Sequence, residues 1–259
     1  MGAFFDMHCH LGFSSNLTEA AALLARLGAG AFAVCVTPSE TQDTASRLGQ
    51  EAPCVRVGVG LHPWWIADGR IREEEIEAAS VLARKASFVG EVGLDFGRAH
   101  AHAASVQLSA FERVARACAE GSGEGAAPKV LSLHAVRAAD AVLDILERTG
   151  AIESCTCIFH WYSDTPEALQ RAIGLGCRFS LGVRSLDTRR GREYARQMPV
   201  RLLLLETDEP PEGGPYDVEA AQRQLAHACK MLEEIKGEPV ARSIAQSSCE
   251  LLGLGARID

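Results

Sequence analysis

Short apolar runs, each closed by polar or turn-forming residues, recur along the whole chain. Eight of them are nearly continuous in Val, Leu, Ile, Ala, Cys and Phe rather than strictly alternating, as parallel strands covered on both faces are. They predict strands over Ala3–His8, Ala31–Thr37, Val55–Gly60, Phe88–Glu91, Val130–His134, Thr156–His160, Arg178–Leu181 and Leu202–Thr207. Between them apolar residues return every three or four positions. That spacing predicts helices over Leu17–Leu27, Glu73–Arg84, Val106–Ala119, Ala138–Arg148, Pro166–Ile173, Val218–Ile235 and Val240–Leu252. Strands and helices alternating in this number point to an α/β fold, a TIM-type (β/α)8 barrel. A doubly wound open sheet usually carries a glycine-rich phosphate turn after its first strand, where this chain has HCHLGFSSN. The glycine-rich segment Gly121–Ala127 precedes a strand and reads as a surface loop. With no linker, repeat or low-complexity tract in view, residues 1–259 read as one barrel domain.

The length of 259 residues, 47% of them hydrophobic, allows a barrel-sized core. A net charge of -8 opposes an extended grip on duplex nucleic acid, yet a phosphodiester could still enter a cation-filled pocket. The nine cysteines form no C-x-x-C pair and read as reduced, buried thiols. The start, MGAFFDMHCH, lacks the basic and apolar regions of a signal peptide, and no window offers the ~20 apolar residues of a membrane span. These features predict a soluble, cytoplasmic protein with no membrane contact and no obligate protein partner.

Five of the eight histidines, His8, His10, His62, His134 and His160, fall at or just past the ends of predicted strands. In a parallel barrel those ends open on one face, the face that carries active sites. In His8-Cys9-His10 the two imidazoles share a strand face about 6.6 Å apart along the chain, so they can converge on one cation. Glu91 ends the fourth strand, where its two oxygens can bridge two cations; an ion pair at the barrel mouth is the alternative. His134 and His160 would each alone read as hydrogen-bonded core histidines, but beside Glu91 they describe a second ion site. Asp208, after the last strand, adjoins the first strand in a closed barrel and completes the site begun by His8 and His10. Glu206 lies one step deeper on the same face, in a supporting position.

The segments DMHCHLG, VGLHPWW, VGEVGLDF, the Gln107…Phe111 helix, LHA, FHWYSD, GCRFSLG, LLLETDEP and LLGL follow one another over nearly the whole chain. In that order they resemble the TatD family of metal-dependent deoxyribonucleases, within the amidohydrolase-like barrels. The resemblance implies metal ligation by His8, His10, Glu91, His134, His160 and Asp208, catalysis by Glu91 and Asp208, and a substrate role for His62. It implies two divalent ions, Zn²⁺, Mn²⁺, Ni²⁺, Fe²⁺ or Mg²⁺, with the mixed imidazole and carboxylate donors suiting the first four best. The implied reaction is hydrolysis of a phosphodiester at DNA ends by a water activated between the ions, with Asp208 carrying its proton.

The chain also departs from the family pattern. Val136 stands where the family usually has Arg, with Arg137 beside it as the substrate-binding candidate. Ser247 replaces an Asn, and the loop Glu209–Tyr216 (EPPEGGPY) is short and acidic. These changes keep a second reading in play, a two-metal hydrolase of a small amide, ester or phosphate, and a third, a non-catalytic barrel subunit. Trp64, Trp65, Trp161 and Tyr162 follow two strand ends and would either stack on a base or pack the rim. Arg98, Arg137, Arg184, Arg189 and Arg190 fall in predicted loops on the active-site face and would hold a terminal phosphate.

Overall fold

Parallel strands alternate with helices throughout the computed structural model, which describes residues 3–49, 52–122 and 127–254. The first half runs β1 (Phe5–Cys9), α1 (Leu17–Leu27), β2 (Gly30–Ala33), α2 (Pro38–Leu48), β3 (Val55–Val57), β4 (Val59–Leu61), α3 (Pro63–Ala67), α4 (Glu73–Lys85) and β5 (Phe88–Asp95). The second runs α5 (Ala104–Glu120), β6 (Lys129–Val136), α6 (Ala139–Thr149), α7 (Ala151–Ser154), β7 (Cys155–His160), α8 (Pro166–Gly174), β8 (Arg178–Leu181) and α9 (Val183–Leu186). It ends with α10 (Arg189–Gln197), β9 (Leu203–Leu205), α11 (Val218–Lys236) and α12 (Ala241–Leu251).

Parallel ladders join β1-β2-β3 and β4-β5-β6-β7-β8-β9, and β3 and β4 are halves of one strand interrupted at Gly58. The seam between the last and first strands is bridged by two backbone bonds. Asp208 N–H donates to the His8 carbonyl at 3.0 Å, and His10 N–H donates to the Glu209 carbonyl at 2.8 Å. The TIM-type barrel expected from the alternating pattern is the fold observed.

The interruption at Gly58 has a steric cause. Beyond β2 the chain leans across to β5, where Cys35 N–H donates to the Gly90 carbonyl at 2.9 Å and Glu91 N–H to the Cys35 carbonyl at 2.8 Å. A Cβ on Gly60 would lie 2.0 Å from the Cys35 oxygen, and one on Gly58 would lie 2.6 Å from the Gly90 oxygen. Only side-chain-free residues admit that approach. The crossing explains why β2 ends at Ala33 rather than at the expected Thr37, and it fixes the backbone of Glu91.

The helices cover the barrel with apolar stripes. In α6, Ala139, Val142, Leu143, Ile145 and Leu146 are buried, while Asp140 and Asp144 on the outer face pair with Arg171 of α8 at 3.3 and 2.7 Å. Gly150, at φ 75°, ends α6 in the left-handed conformation that favours glycine. Each fully buried aliphatic side chain in such a stripe contributes roughly 1.5–3 kcal/mol, so Leu143→Ala would cost about 2–5 kcal/mol.

Two helices escape the apolar pattern. The face that α2 buries is Pro38, Thr41, Thr44 and Leu48, half of it polar; its start is set by Thr37, whose hydroxyl accepts from Glu40 N–H at 3.1 Å, and by Pro38 in the first turn. The strongly basic α10 buries only Gly191, Tyr194 and Ala195. Arg189 and Arg190 therefore lie in its first turn, not in the loop expected from the sequence. The glycine-rich segment Gly121–Ala127 falls mostly on residues 123–126, outside the described residues. All nine cysteines are free and buried. Among the described residues no helix is long and apolar enough to cross a membrane.

Candidate metal centre

The C-terminal ends of the strands bring the expected residues to one mouth. His8 lies within β1 and His10 just beyond it, Glu91 and His134 lie within β5 and β6, His160 ends β7, and Asp208 follows β9. His10, Glu91, His134, His160 and Asp208 line a cavity of about 270 Å³, and His8 is fully buried behind them.

Glu91 divides these side chains into two clusters. On one side His10 Nε2 is 3.4 Å from both Glu91 Oε2 and Asp208 Oδ1, and His8 Nε2 is 3.6 Å from each. Ligands ~2.1 Å from a tetrahedral centre stand about 3.4 Å from one another, and each imidazole stands at about that distance from each carboxylate. His8 Nε2 and Glu91 Oε2 are both buried without a hydrogen-bond partner. An unpaired buried polar atom costs about 1–3 kcal/mol, and one cation between them would satisfy both. On the other side Glu91 Oε1 lies 2.7 Å from His134 Nδ1, 2.9 Å from His160 Nε2 and 3.1 Å from His62 Nε2. Among the described residues three overlapping groups could hold a metal ion: His8, His10 and Glu91; His8, His160 and Asp208; and His62, Glu91 and His134. Imidazole nitrogen with carboxylate oxygen suits Zn²⁺, Mn²⁺, Ni²⁺ or Fe²⁺.

The charges are set by burial working against proximity. Burial pushes His8 down to about 4, helped by the charge on His160 and opposed by Glu91. Burial also lowers His10, but the Asp208 and Glu91 carboxylates outweigh it and bring His10 up to about 9. Burial raises Glu91, yet the charges on His62 and His160 and the bonds from His10 and His134 hold it well below the carboxylate range. Asp208 follows the same logic, raised by burial and drawn down to about 2 by His10, His160 and His8. Both carboxylates are therefore ionised at neutral pH.

The family described as TatD related DNase matches residues 5–253. The chain belongs to the TatD family. It is 29% identical to an uncharacterized metal-dependent hydrolase TatD of Mycobacterium tuberculosis, over 96% of this chain and 98% of that one. It is 29% identical to the 3'-5' ssDNA/RNA exonuclease TatD of Citrobacter koseri, over 80% and 78%. Against the deoxyribonuclease Tat-D of Schizosaccharomyces pombe, identity is 26% over 66% of this chain, which spans just 56% of that relative. Among solved structures, the TatD homolog YJJV of Escherichia coli k12 has a TM-score of 0.73 at 22% identity, covering 96% of this chain and 97% of that one. A TatD-family hydrolase of Entamoeba histolytica also reaches 0.73, at 14% identity and with 96% and 98% covered. The family and the hydrolase class expected from the motifs are borne out.

A second layer of residues holds the TatD imidazoles in place. Ser132 Oγ is 2.7 Å from His8 Nδ1. Asp95 Oδ2 is 3.1 Å from His134 Nε2 and also accepts from Trp64 Nε1, while its Oδ1 accepts from Gly97 N–H. Burial raises the Asp95 carboxyl, but the bonds from His134 and Trp64 hold it well below the carboxylate range. Glu206 lies behind His160, 3.8 Å from its Nδ1, and is held by Ser180, which matches the supporting position read for it. Asp6 clamps the seam: it accepts from His8 N–H, Thr207 N–H, the Thr207 hydroxyl and the Tyr216 hydroxyl. Burial still pushes the Asp6 carboxyl up to about 7.

Sequence reasoning passed over Asp95 because the expected strand stopped at Glu91. In the eight-residue β5, positions 91, 93 and 95 share a face, a period-two signal that a longer strand would have exposed. His62, given a substrate role from sequence, stands among the second set of ion-binding candidates and caps α3 by accepting Trp64 N–H at 3.2 Å. Arg137 is exposed directly after β6 and does not line the cavity. Arg137, Trp161 and Asp208 have φ of 53°, 39° and 58°. All three sit at this mouth, where left-handed backbone in non-glycine residues costs about 1–3 kcal/mol each.

Proposed function

We propose that the protein is a phosphodiesterase that removes nucleotides from accessible DNA ends, with two divalent cations shared through Glu91. The observation that carries this reading is the division of Glu91 itself, Oε2 toward His8 and His10 and Oε1 toward His134 and His160. Bound cations would supply Lewis acidity to a phosphoryl oxygen and acidify a water. Asp208 is the proton carrier: it is ionised and 20% exposed, against 1% for Glu91, so its carboxylate can take a proton from the cavity and return it to the leaving oxygen. His62, which lines the cavity, and Arg137, an exposed cation at the rim, are assigned to the substrate. The relatives named as a deoxyribonuclease and a 3'-5' ssDNA/RNA exonuclease support nucleic acid as the substrate class. Nine buried free thiols suit a cytoplasmic place of action.

A second reading, hydrolysis of a small ester, amide or phosphate, is favoured by a cavity lining without Lys or Arg among the described residues. The deciding experiment compares an end-labelled single strand with a closed circle, using metal-reconstituted protein at low and moderate salt. The strand should be cut from its terminus, with a KM that depends mildly on salt, because few phosphates are engaged. Efficient cutting of the circle would refute end recognition. Turnover of a small ester or amide with neither DNA cut would hand the case to the second reading.

A further inference from the structure

Two indoles at the cavity mouth present ring surface that the chemistry above does not use: Trp64, after β4, and Trp161, after β7, with Ala135 and Val136 of β6 in the wall between those strands. Each is fixed before any ligand arrives. Trp64 Nε1–H donates to Asp95, and His100 stacks on the ring with centroids 5.1 Å apart and planes 21° apart. The indole N–H is thereby spent, so Trp64 presents carbon and π surface to the cavity. It is nevertheless 43% exposed, which is unusual for so large an apolar side chain held so firmly. Trp161 is set by its backbone, at φ 39° and with its main-chain N–H donating to the Ser180 carbonyl at 3.1 Å, and the Arg184 guanidinium stands 5.6 Å from its ring centroid.

Two of the nearby cations are occupied. Arg184 is paired with Glu209, and Arg190 donates to the Asp164 carbonyl and the Tyr194 hydroxyl. A strand end that passes the rim therefore finds aromatic walls in a cavity lined, among the described residues, by no Lys or Arg. We propose that Trp64 and Trp161 form a stacking subsite for the terminal nucleobase, a reading that rests on the phosphodiesterase function. A cavity of about 270 Å³, small for a ligand site, holds one nucleotide rather than a run of strand. Stacking on an indole contributes roughly fivefold to a hundredfold in affinity and tolerates every base, since each has a π face. The subsite makes end recognition independent of sequence but dependent on the presence of a base.

The test uses the full, metal-reconstituted chain with deoxyadenosine monophosphate and with deoxyribose 5-phosphate, which lacks the base. The nucleotide should bind about tenfold more tightly in calorimetry and quench indole fluorescence. In Trp64→Leu and Trp161→Leu the affinity ratio should fall toward one, and Trp64→Phe should keep part of it. Trp65, covered by Arg70 at 4.5 Å and absent from the cavity lining, is the control: Trp65→Phe should keep the ratio. If Trp64→Leu does not fold, Trp161→Leu and the wild-type quenching still decide. Equal binding of the two probes by the wild type, or a ratio that survives both Leu variants, overturns the subsite. Strands ending in a base and in an abasic nucleotide separate the two claims. Cleavage of both with the same KM refutes the subsite and leaves the phosphodiesterase standing, whereas cleavage of neither removes both.

Discussion

On one side of Glu91, the imidazoles of His8 and His10 and the carboxylate of Asp208 stand 3.4 to 3.6 Å from their neighbours. On the other side, His134, His160 and His62 close directly onto Glu91 Oε1 at 2.7, 2.9 and 3.1 Å. The first cluster brings two carboxylates to two imidazoles, each imidazole within 3.4 to 3.6 Å of both. The second shares one carboxylate oxygen among three imidazoles in close contact, with His134 hydrogen-bonded to it and His160 Nδ1 left without a partner. A cation entering the first would displace the His10 proton but meet imidazoles already 3.4 to 3.6 Å from both carboxylates, whereas one entering the second would also have to part groups in direct contact. Their backing differs too: a neutral hydroxyl stands behind His8, and carboxylates stand behind His134 and His160. Carboxylate backing makes an imidazole a stronger donor, which partly offsets the tighter geometry. The first cluster should bind a cation more tightly, and the second should be more sensitive to its supporting residues.

The largest effect is expected at the residue both clusters share. Glu91→Gln keeps the shape but removes the charge and turns an amide N–H toward one set of ligands. Turnover should fall by about a thousandfold or more, with bound metal reduced and the barrel still folded by circular dichroism. Normal turnover at verified metal content would sink the shared-bridge mechanism.

Next come single-cluster variants. His10→Ala should abolish the tighter binding step in equilibrium dialysis, while His134→Ala should remove the weaker step and leave the tighter one near its wild-type affinity. The opposite pattern would reverse the ranking argued from the distances. Asp95→Asn should act through His134 alone, weakening the second step about 10–100-fold. Equal weakening of both steps would show that the clusters are not separately supported.

A smaller and more diagnostic effect concerns protons. His10 is raised to about 9 from the ordinary 6.5, so without metal it is protonated at pH 7. Metal binds the neutral imidazole, and loading at pH 7 should release a proton, measurable by calorimetry in buffers of different ionisation enthalpy. The sign also governs stability without metal. His10's contribution is fully present below 6.5 and is lost as pH rises through about 9. No proton release at pH 7 would mean that His10 is not a ligand. The smallest effect is thermal: metal at about a hundred times its dissociation constant should add about 2.7 kcal/mol, or roughly 5–10 °C in Tm.

Most of the barrel and the six candidate ligands were legible in the chain itself, because both are written locally. Parallel strands buried on both faces read as apolar runs, and a histidine or carboxylate closing such a run falls at the barrel's C-terminal mouth. His8, His10, Glu91, His134, His160 and Asp208 were found in this way. The helix α2 was not, since its buried face includes Thr41 and Thr44, and strand β5 looked four residues too short because its end, with Gly93 and Asp95, lacks a continuous apolar run. Other features depend on partners far away in the chain. Thr207 meets Asp6 across 201 positions and Tyr216 does so across 210. The contact of Asp95 with His134, the pinning of Trp64 and the occupation of Arg184 by Glu209 are likewise products of packing. Local pattern determines which residue types reach the mouth. Which of them touch, which stay ionised and which cations remain available depend on distances and burial, and those quantities exist only once the strands have closed around the same axis.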